Sequence, residues 1–203
     1  MLGALVVLGF AGCSLLQRGQ TIDERINLIA VMPIEREEPP SATAAQGPPR
    51  LKAGAEHVVT AEIYAVLASS SMWRFVPDLT VTQALSKIDS QGPLVSRARA
   101  LGKAVNADAV LYGTVSRYRE REGSEYGSRE PASVSFTLSL VSVASGKVLW
   151  TRSFDETQQA LSSNLFNWWQ FWRGGPRWFS AEEFTHLGVE RLLDDLAAKL
   201  GID

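Results

Sequence analysis

Three segments in the second half of the chain alternate apolar and polar side chains. Asp108 to Tyr118 and Ala132 to Val143 both show a period of two, and the latter has Val, Phe and Leu on one face and Ser and Thr on the other. Such alternation is typical of strands that bury one face. Ser145-Gly146 suits a tight reversal into Lys147 to Phe154. That strand places three side chains on one face: Val148, Trp150 and Phe154. We therefore predict a β-meander.

The remaining apolar patterns predict helices and two further short strands. Helical spacing of apolar side chains predicts four helices, the second capped by Thr80: Ala55–Ser70, Val81–Ile88, Leu94–Val105 and Ala181–Leu200. Short apolar runs that end in proline predict two strands, Asn27–Pro33 and Trp73–Pro77. The predicted order is β-α-β-α-α-β-β-β-α. We expect an α/β (α+β) fold with a single mixed β-sheet, helices packed on it and an antiparallel C-terminal meander.

Two segments show no apolar periodicity. Residues 35–50 contain four prolines and cannot bury enough surface to offset the entropy of ordering, so we predict a mobile loop. The alternative for this segment is a proline-rich docking peptide in extended form. Arg117 to Glu130 alternates charges of both signs, which predicts a soluble hairpin tip between the first two meander strands.

The chain starts with a segment typical of secretion. Leu2 to Gly12 is almost uninterrupted apolar or small sequence, too short for a membrane-spanning helix. Phe10-Ala11-Gly12-Cys13 resembles the lipobox of bacterial lipoproteins, in which the cysteine becomes the lipidated first residue. We predict a signal peptide at 1–12, a lipidated tether at 13–26 and a periplasmic α/β domain at 27–203. The apolar run lacks preceding Lys or Arg, and we expect Met1 to lie inside a longer natural start.

The lipobox resemblance also implies a location. Ser14 follows the cysteine, whereas aspartate at that place commonly retains such lipoproteins in the inner membrane. The resemblance therefore implies lipid anchoring at Cys13 in the inner leaflet of the outer membrane, facing the periplasm. Each buried methylene of the lipid contributes about 0.8 kcal/mol, so several acyl chains anchor a protein stably.

Composition and the motifs missing from the sequence argue against several kinds of function. The net charge of −2 argues against a nucleic-acid surface, and the single cysteine excludes a disulfide framework or a cysteine metal site. His57 and His186 belong to no metal-binding pair, and nucleophile-elbow and phosphate-loop motifs are missing from the sequence. We predict no catalytic residues, no metal and no cofactor beyond the lipid. The enzymatic alternative is a wall or polysaccharide hydrolase using carboxylates such as Asp155 and Glu156.

A family resemblance covers about Asn27 to Thr157. It is carried by NLIAVMP, SSMWRFVPD, NADAVLYG (106–113) and SGKVLW (145–150). These segments resemble the α/β module of the curli-secretion lipoprotein family and of the amino-terminal domain of TolB, which the export lipoprotein PelC and lipoprotein activators of peptidoglycan synthases share. The resemblance implies a non-enzymatic scaffold that binds a periplasmic partner. It also implies that Asp108 lies where a helix leads into a central strand, and that Gly113 lets this strand bend or approach a neighbouring strand closely.

Leu161 to Phe179 contains four of the six tryptophans. If 161–173 is helical, Leu165, Trp168, Trp169 and Trp172 share a face, and Gly174-Gly175-Pro176 ends the helix before Trp178 and Phe179. Tryptophan is favoured at membrane surfaces and at protein interfaces. The candidate partner or membrane contact is thus formed by Leu165, Trp168, Trp169, Trp172, Trp178 and Phe179, and the alternative is that they cover the protein's own sheet.

We therefore expect a lipid-anchored periplasmic scaffold of an envelope assembly, concerned with export or cell-wall building. Its expected partners are the outer-membrane leaflet and an unidentified envelope protein, with no nucleic acid, and homo-oligomerisation stays open. A ring-forming component of an export apparatus is the main alternative. The charged tip at 117–130 is too short to cross lipid as a channel hairpin.

Overall fold

The computed structural model describes residues 22, 24–37, 51–124, 127–157 and 179–202. It confirms the predicted class, because a five-stranded mixed sheet carries four helices. The strands of this sheet are β1 (Ile29–Val31), β2 (Glu35–Arg36), β3 (Ala109–Arg119), β6 (Ser133–Ser142) and β7 (Val148–Thr157). A separate two-stranded ladder is formed by β4 (Glu122–Ser124) and β5 (Gly127–Glu130). The helices are α1 (Ala55–Ser69), α2 (Asp78–Leu85), α3 (Leu94–Ala104) and α4 (Ala181–Leu200).

The sheet has the order β1-β3-β6-β7, and β2 also pairs with β3. β1 and β2 run parallel to β3, whereas β3, β6 and β7 form the predicted antiparallel meander. Helices α1 and α4 pack together on one face and bury the larger core. That core contains the apolar side of the meander, including Val115, Phe136 and Phe154. Helices α2 and α3 contribute to a smaller core on the opposite face, around Val110 and Val141.

Two positions quoted for the family resemblance have the structural roles expected of them. Asp108 lies just before β3, and one carboxylate oxygen accepts the backbone N–H of Asn27 at 2.9 Å and of Leu28 at 3.0 Å. It therefore fixes the start of β1 beside β3. Gly113 lies where a Cβ would sit 2.1 Å from the carbonyl oxygen of Thr137, so the backbone of β6 approaches too closely for any side chain.

The final helix begins and ends at the predicted residues. The Ser180 hydroxyl accepts the Glu183 N–H at 3.1 Å, and the Glu183 carboxylate accepts the Ser180 N–H at 3.0 Å. This reciprocal pair satisfies two donors that a helix start otherwise leaves unpaired. Gly201 ends the helix with a φ of 66°, a conformation that glycine adopts without steric cost.

One predicted strand and the bounds of two other predicted segments are wrong. Trp73–Pro77 is no strand: it makes a single bridge, Ile29 with Phe75, because Pro77 starts α2 directly afterwards. Helix α2 therefore spans Asp78–Leu85, and Thr80 lies within its first turn instead of capping it. The predicted loop at 35–50 also begins too early, since Glu35–Arg36 pairs with β3 as β2.

The predicted inward position of Val148 is also wrong. The register between β6 and β7 shifts between Leu140 and Val141, which places Val148 opposite Val141, on the other face from Trp150. Val148 is 48% exposed, whereas Trp150 and Phe154 are buried. A β-bulge of this kind reverses the side to which the neighbouring residue points.

Several predictions fall outside the described residues: the signal peptide, the lipobox, the loop at 38–50 and the tryptophan-rich residues 161–178. At the end of the predicted tether, Ile22 and Ile26 are partly buried against the larger core. Within the described ranges, no helix combines the length and the apolar character needed to cross a membrane.

Candidate functional site, a hydroxyl-lined face of the sheet

Most residues of the predicted contact site lie outside the described part of the chain. Cys13 and its lipobox precede residue 22, and Leu165, Trp168, Trp169, Trp172 and Trp178 fall between β7 and α4. Phe179 is described, and it is partly buried against the larger core. The described residues form a different candidate surface, of which the sequence predicts only the polar side of one strand.

We call this candidate surface the hydroxyl face. It is on the same side of the sheet as the smaller core, next to that core and beyond the part that α3 covers. It lies opposite the larger core, and we define it by nine side chains: Thr114, Ser116, Ser133, Ser135, Thr137, Ser139, Thr151, Ser153 and Thr157. Those on β7 are exposed, while Ser133, Ser135 and Ser139 on the central strand are buried between their neighbours. The face is therefore polar, and it is accessible along its β7 side.

Hydroxyl groups on this face bond to one another across the strands. Oxygen–oxygen distances are 2.9 Å for Thr137 with Ser153, 2.9 Å for Ser139 with Thr151 and 3.0 Å for Ser116 with Ser135. A fourth pair, Ser133 with Thr157, is 2.6 Å apart. Cross-strand hydroxyl pairs stabilise a sheet modestly, by roughly 0.2–1 kcal/mol each. Because eight of the nine hydroxyls already have a partner on this face, covering it would leave few unpaired polar groups.

Charged side chains border the hydroxyl face in opposite-sign pairs. Arg117 of β3 donates from Nε to the Ser133 hydroxyl at 2.7 Å and from Nη2 to the Asp155 carboxylate. On the other side, Arg97 of α3 lies 2.6 Å from Glu35 of β2. These pairs leave the face without a strong net charge, which suits a neutral polar partner surface better than a highly charged polymer.

A second polar surface lies on the opposite side of the molecule, where α1 meets α4. An open depression there is lined by Glu62, Ser180, Glu182, Glu183 and His186. His186 Nδ1 lies 2.7 Å from a Glu62 oxygen, and its Nε2 lies 3.7 Å from Glu190. The described residues contain no group of histidine, cysteine or carboxylate side chains arranged to hold a metal ion.

A buried tyrosine lies beneath this second surface. Burial raises the pKa of Tyr118 well above its usual value, and the nearby carboxylates of Glu120, Glu182 and Glu62 act in the same direction. Tyr64 in α1 shows the same behaviour, with burial as the main cause and Asp78 as the lesser one. Both phenols therefore stay protonated at physiological pH and serve as packing groups.

The carboxylates considered for an enzymatic alternative do not face each other. Asp155 and Glu156 are neighbours on β7, so their side chains point to opposite faces of the sheet. Asp155 bonds to Arg117 on the hydroxyl face, while Glu156 lies 2.5 Å from Arg191 of α4 on the other face. An acid–base pair across a shared groove would need both groups on one side.

Comparison with protein families identifies the central part of the chain. Residues 56–154 match the family model described as peptidoglycan-synthase activator LpoB. This part of the chain is an LpoB-family domain. It begins in α1 and ends in β7, and so includes the meander and most of the hydroxyl face. Of the relatives named in the sequence analysis, the match agrees with the lipoprotein activators of peptidoglycan synthases, and not specifically with TolB or the curli-secretion family.

Several solved structures resemble this chain at low sequence identity. PelC from Paraburkholderia phytofirmans, solved as a dodecamer, is 18% identical, with 87% of this chain and 92% of that chain covered and a TM-score of 0.48. The LpoB C-terminal domain from Escherichia coli is 18% identical over 67% and 87% of the two chains, with a TM-score of 0.45. Lipoprotein GNA1162 from Neisseria meningitidis is 20% identical over 84% and 96%, with a TM-score of 0.45. No curated protein matches the chain in sequence.

The hydroxyl face could have been anticipated in part. The alternation of Ser and Thr with apolar residues in Ala132 to Val143 was visible, and it predicted a polar strand face. Strand order and helix placement decide which part of that face stays uncovered, and both depend on contacts between distant segments.

Proposed function

We propose that this chain is a lipid-anchored, non-enzymatic accessory protein of the outer membrane that binds and activates a peptidoglycan synthase from the periplasmic side. The observation that carries the proposal is the match of residues 56–154 to the synthase-activator family. The carboxylates Asp155 and Glu156, which point to opposite faces, favour a binding role over hydrolysis.

The anchor in this proposal is Cys13. It is the single cysteine of the chain, and it stands at the end of the lipobox-like Phe10-Ala11-Gly12. Metabolic labelling with an alkyne fatty acid, comparing the wild-type chain with Cys13→Ala, tests this step. We expect label on the wild-type chain alone, and equal labelling of both proteins would contradict the anchor.

We assign the synthase contact to the hydroxyl face. Its bordering charged groups are paired and eight of its nine hydroxyls bond to one another, so a protein partner can cover this surface at little cost in desolvation. Thr137 lies at its centre on β6 and is only partly buried. An arginine there would project from the face and prevent a partner from docking closely.

The test measures binding of the purified full chain, in mild detergent, to purified peptidoglycan synthases of the same bacterium. We expect one of them to bind, and Thr137→Arg to weaken that binding by about tenfold or more, equivalent to about 1.4 kcal/mol. Thr82→Arg, the same change on the exposed surface of α2, is the matched control and should bind as the wild type does. Absence of binding to every synthase contradicts the function, whereas normal binding of Thr137→Arg contradicts only the assigned face.

A further inference from the structure

β7 lies at the end of the strand order, and among the described strands it pairs with β6 alone. An edge strand presents a row of backbone N–H and C=O groups to any segment that can pair with it. Natural proteins usually protect such edges with proline, bulges or charged side chains. β7 itself has three charged side chains, Arg152, Asp155 and Glu156. From Trp150 to Thr157 the strand contains neither proline nor glycine, and it pairs with β6 without a register shift. The edge is therefore regular over eight residues.

The charged side chains of β7 are placed so that the strand can pair with a second copy of itself. Arg152 and Glu156 point to the α4 side of the sheet, and Asp155 points to the hydroxyl face. Consider two copies of β7 running antiparallel about a two-fold axis at Phe154. Arg152 of each copy then lies directly opposite Glu156 of the other, so the interface contains two opposite-charge pairs. On the hydroxyl face, Ser153 lies opposite Asp155 and Thr151 opposite Thr157.

Neighbouring registers lack this complementarity. An axis at Arg152, Asp155 or Glu156 places that residue opposite its own copy, and like charges directly opposite destabilise a sheet. An axis at Ser153 places Arg152 opposite Phe154 and leaves its charge without an acidic residue across the interface. Among these registers, the one centred on Phe154 is the one in which both Arg152 side chains face a carboxylate.

We propose that a second copy of this chain pairs antiparallel along β7 about an axis at Phe154, which joins the two sheets into one continuous sheet. This inference does not rest on the proposed synthase contact, because Thr137 lies on β6 and the pairing edge is the outer side of β7. Backbone hydrogen bonds supply the attraction, as in other cases of strand addition. Partly exposed ion pairs contribute little to affinity, so the main effect of the charges is to set the register of the two strands.

Intramolecular partners hold the two charges in place for this contact. Arg152 lies 3.3 Å from Asp195 and Glu156 lies 2.5 Å from Arg191, both partners belonging to α4. About half of the Arg152 side chain remains exposed at 49%, and Glu156 is 36% exposed. Each can therefore keep its partner on α4 and still face the opposite charge across the two-fold axis.

The first experiment exchanges charges between copies. Arg152→Glu makes both interface positions of a copy acidic, and Glu156→Arg makes both basic, so each variant alone forms only like-charge pairs. A mixture of the two restores opposite charges at both sites. We expect the wild-type chain to dimerise in sedimentation velocity, each variant alone to dimerise about tenfold more weakly, and the mixture to recover wild-type affinity as heterodimers. Thermal unfolding of each variant distinguishes loss of pairing from loss of fold.

The second experiment tests the register in a Cys13→Ser background, which removes the natural thiol. Residues directly opposite in an antiparallel pair have Cα atoms roughly 4.5–5.5 Å apart, within the range that a disulfide spans. We expect a mixture of Ser153→Cys and Asp155→Cys chains to form a disulfide dimer, and neither chain to do so alone. A wild-type chain that stays monomeric at high concentration overturns the proposal. A mixture of charge variants that fails to recover overturns it as well, and so does efficient cross-linking of Ser153→Cys with itself.

Discussion

The close approach of β3 and β6 at Gly113 gives the sharpest test of the fold. In Gly113→Ala the new Cβ would lie 2.1 Å from the Thr137 carbonyl oxygen and 3.0 Å from a Leu138 methyl group. The first contact is with backbone in the central pair of strands, so a side-chain rotation cannot relieve it. Overpacking of a core typically costs about 1–3 kcal/mol and sometimes more. We expect Gly113→Ala to cost at least about 3 kcal/mol, because the strands must separate.

Urea unfolding followed by far-ultraviolet circular dichroism measures this cost. The matched control is Gly92→Ala, since Gly92 has a φ of 103° and open space around its Cβ position. It isolates backbone strain without steric overlap, for which we expect about 1–2 kcal/mol. A Gly113→Ala variant that loses less stability than Gly92→Ala would refute the close approach of the two strands.

Three further predictions concern the domain and its contacts. Asp108→Ala should cost about 2–3 kcal/mol, because it leaves the N–H groups of Asn27 and Leu28 without their acceptor, and Asp108→Asn should cost less in the same urea assay. Burial raises the pKa of Tyr118 and Tyr64 in the folded chain above the value of about 10 expected when unfolded. Their contribution to stability is therefore constant below about pH 10 and falls above it, and Tyr118→Phe should make that fall shallower in urea titrations at rising pH. Trp169→Ala should lower melting temperature little and weaken binding to the synthase or to liposomes, whereas a core role would cost about 3–5 kcal/mol and leave binding unchanged.

The parts of the fold that the sequence predicts well are those governed by local patterns. The three meander strands follow from their period of two, and α4 follows from its apolar spacing between residues 181 and 200. β2 was missed because two residues are too few to show a period, and its strand character comes from pairing with β3. The bulge that turns Val148 outward leaves no mark in the alternation of β7.

The candidate surfaces were less predictable for a related reason. The hydroxyls of β6 could be placed on one face from sequence, but their exposure depends on α2 and α3 covering only the part of that face near Val110 and Val141. Likewise, the sequence of β7 does not reveal that it is an edge, because strand order is set by contacts between distant segments. The predicted tryptophan contact stays a prediction.

The proposed activation of a peptidoglycan synthase can be measured as the rate of glycan-strand synthesis. Purified synthases of the same bacterium are assayed with their lipid-linked precursor, with and without the full chain, and with the Thr137→Arg and Thr82→Arg variants. We expect a faster rate for one synthase with the wild-type chain and with Thr82→Arg, and little acceleration with Thr137→Arg. An unchanged rate for every synthase at saturating wild-type chain would contradict the proposed activation.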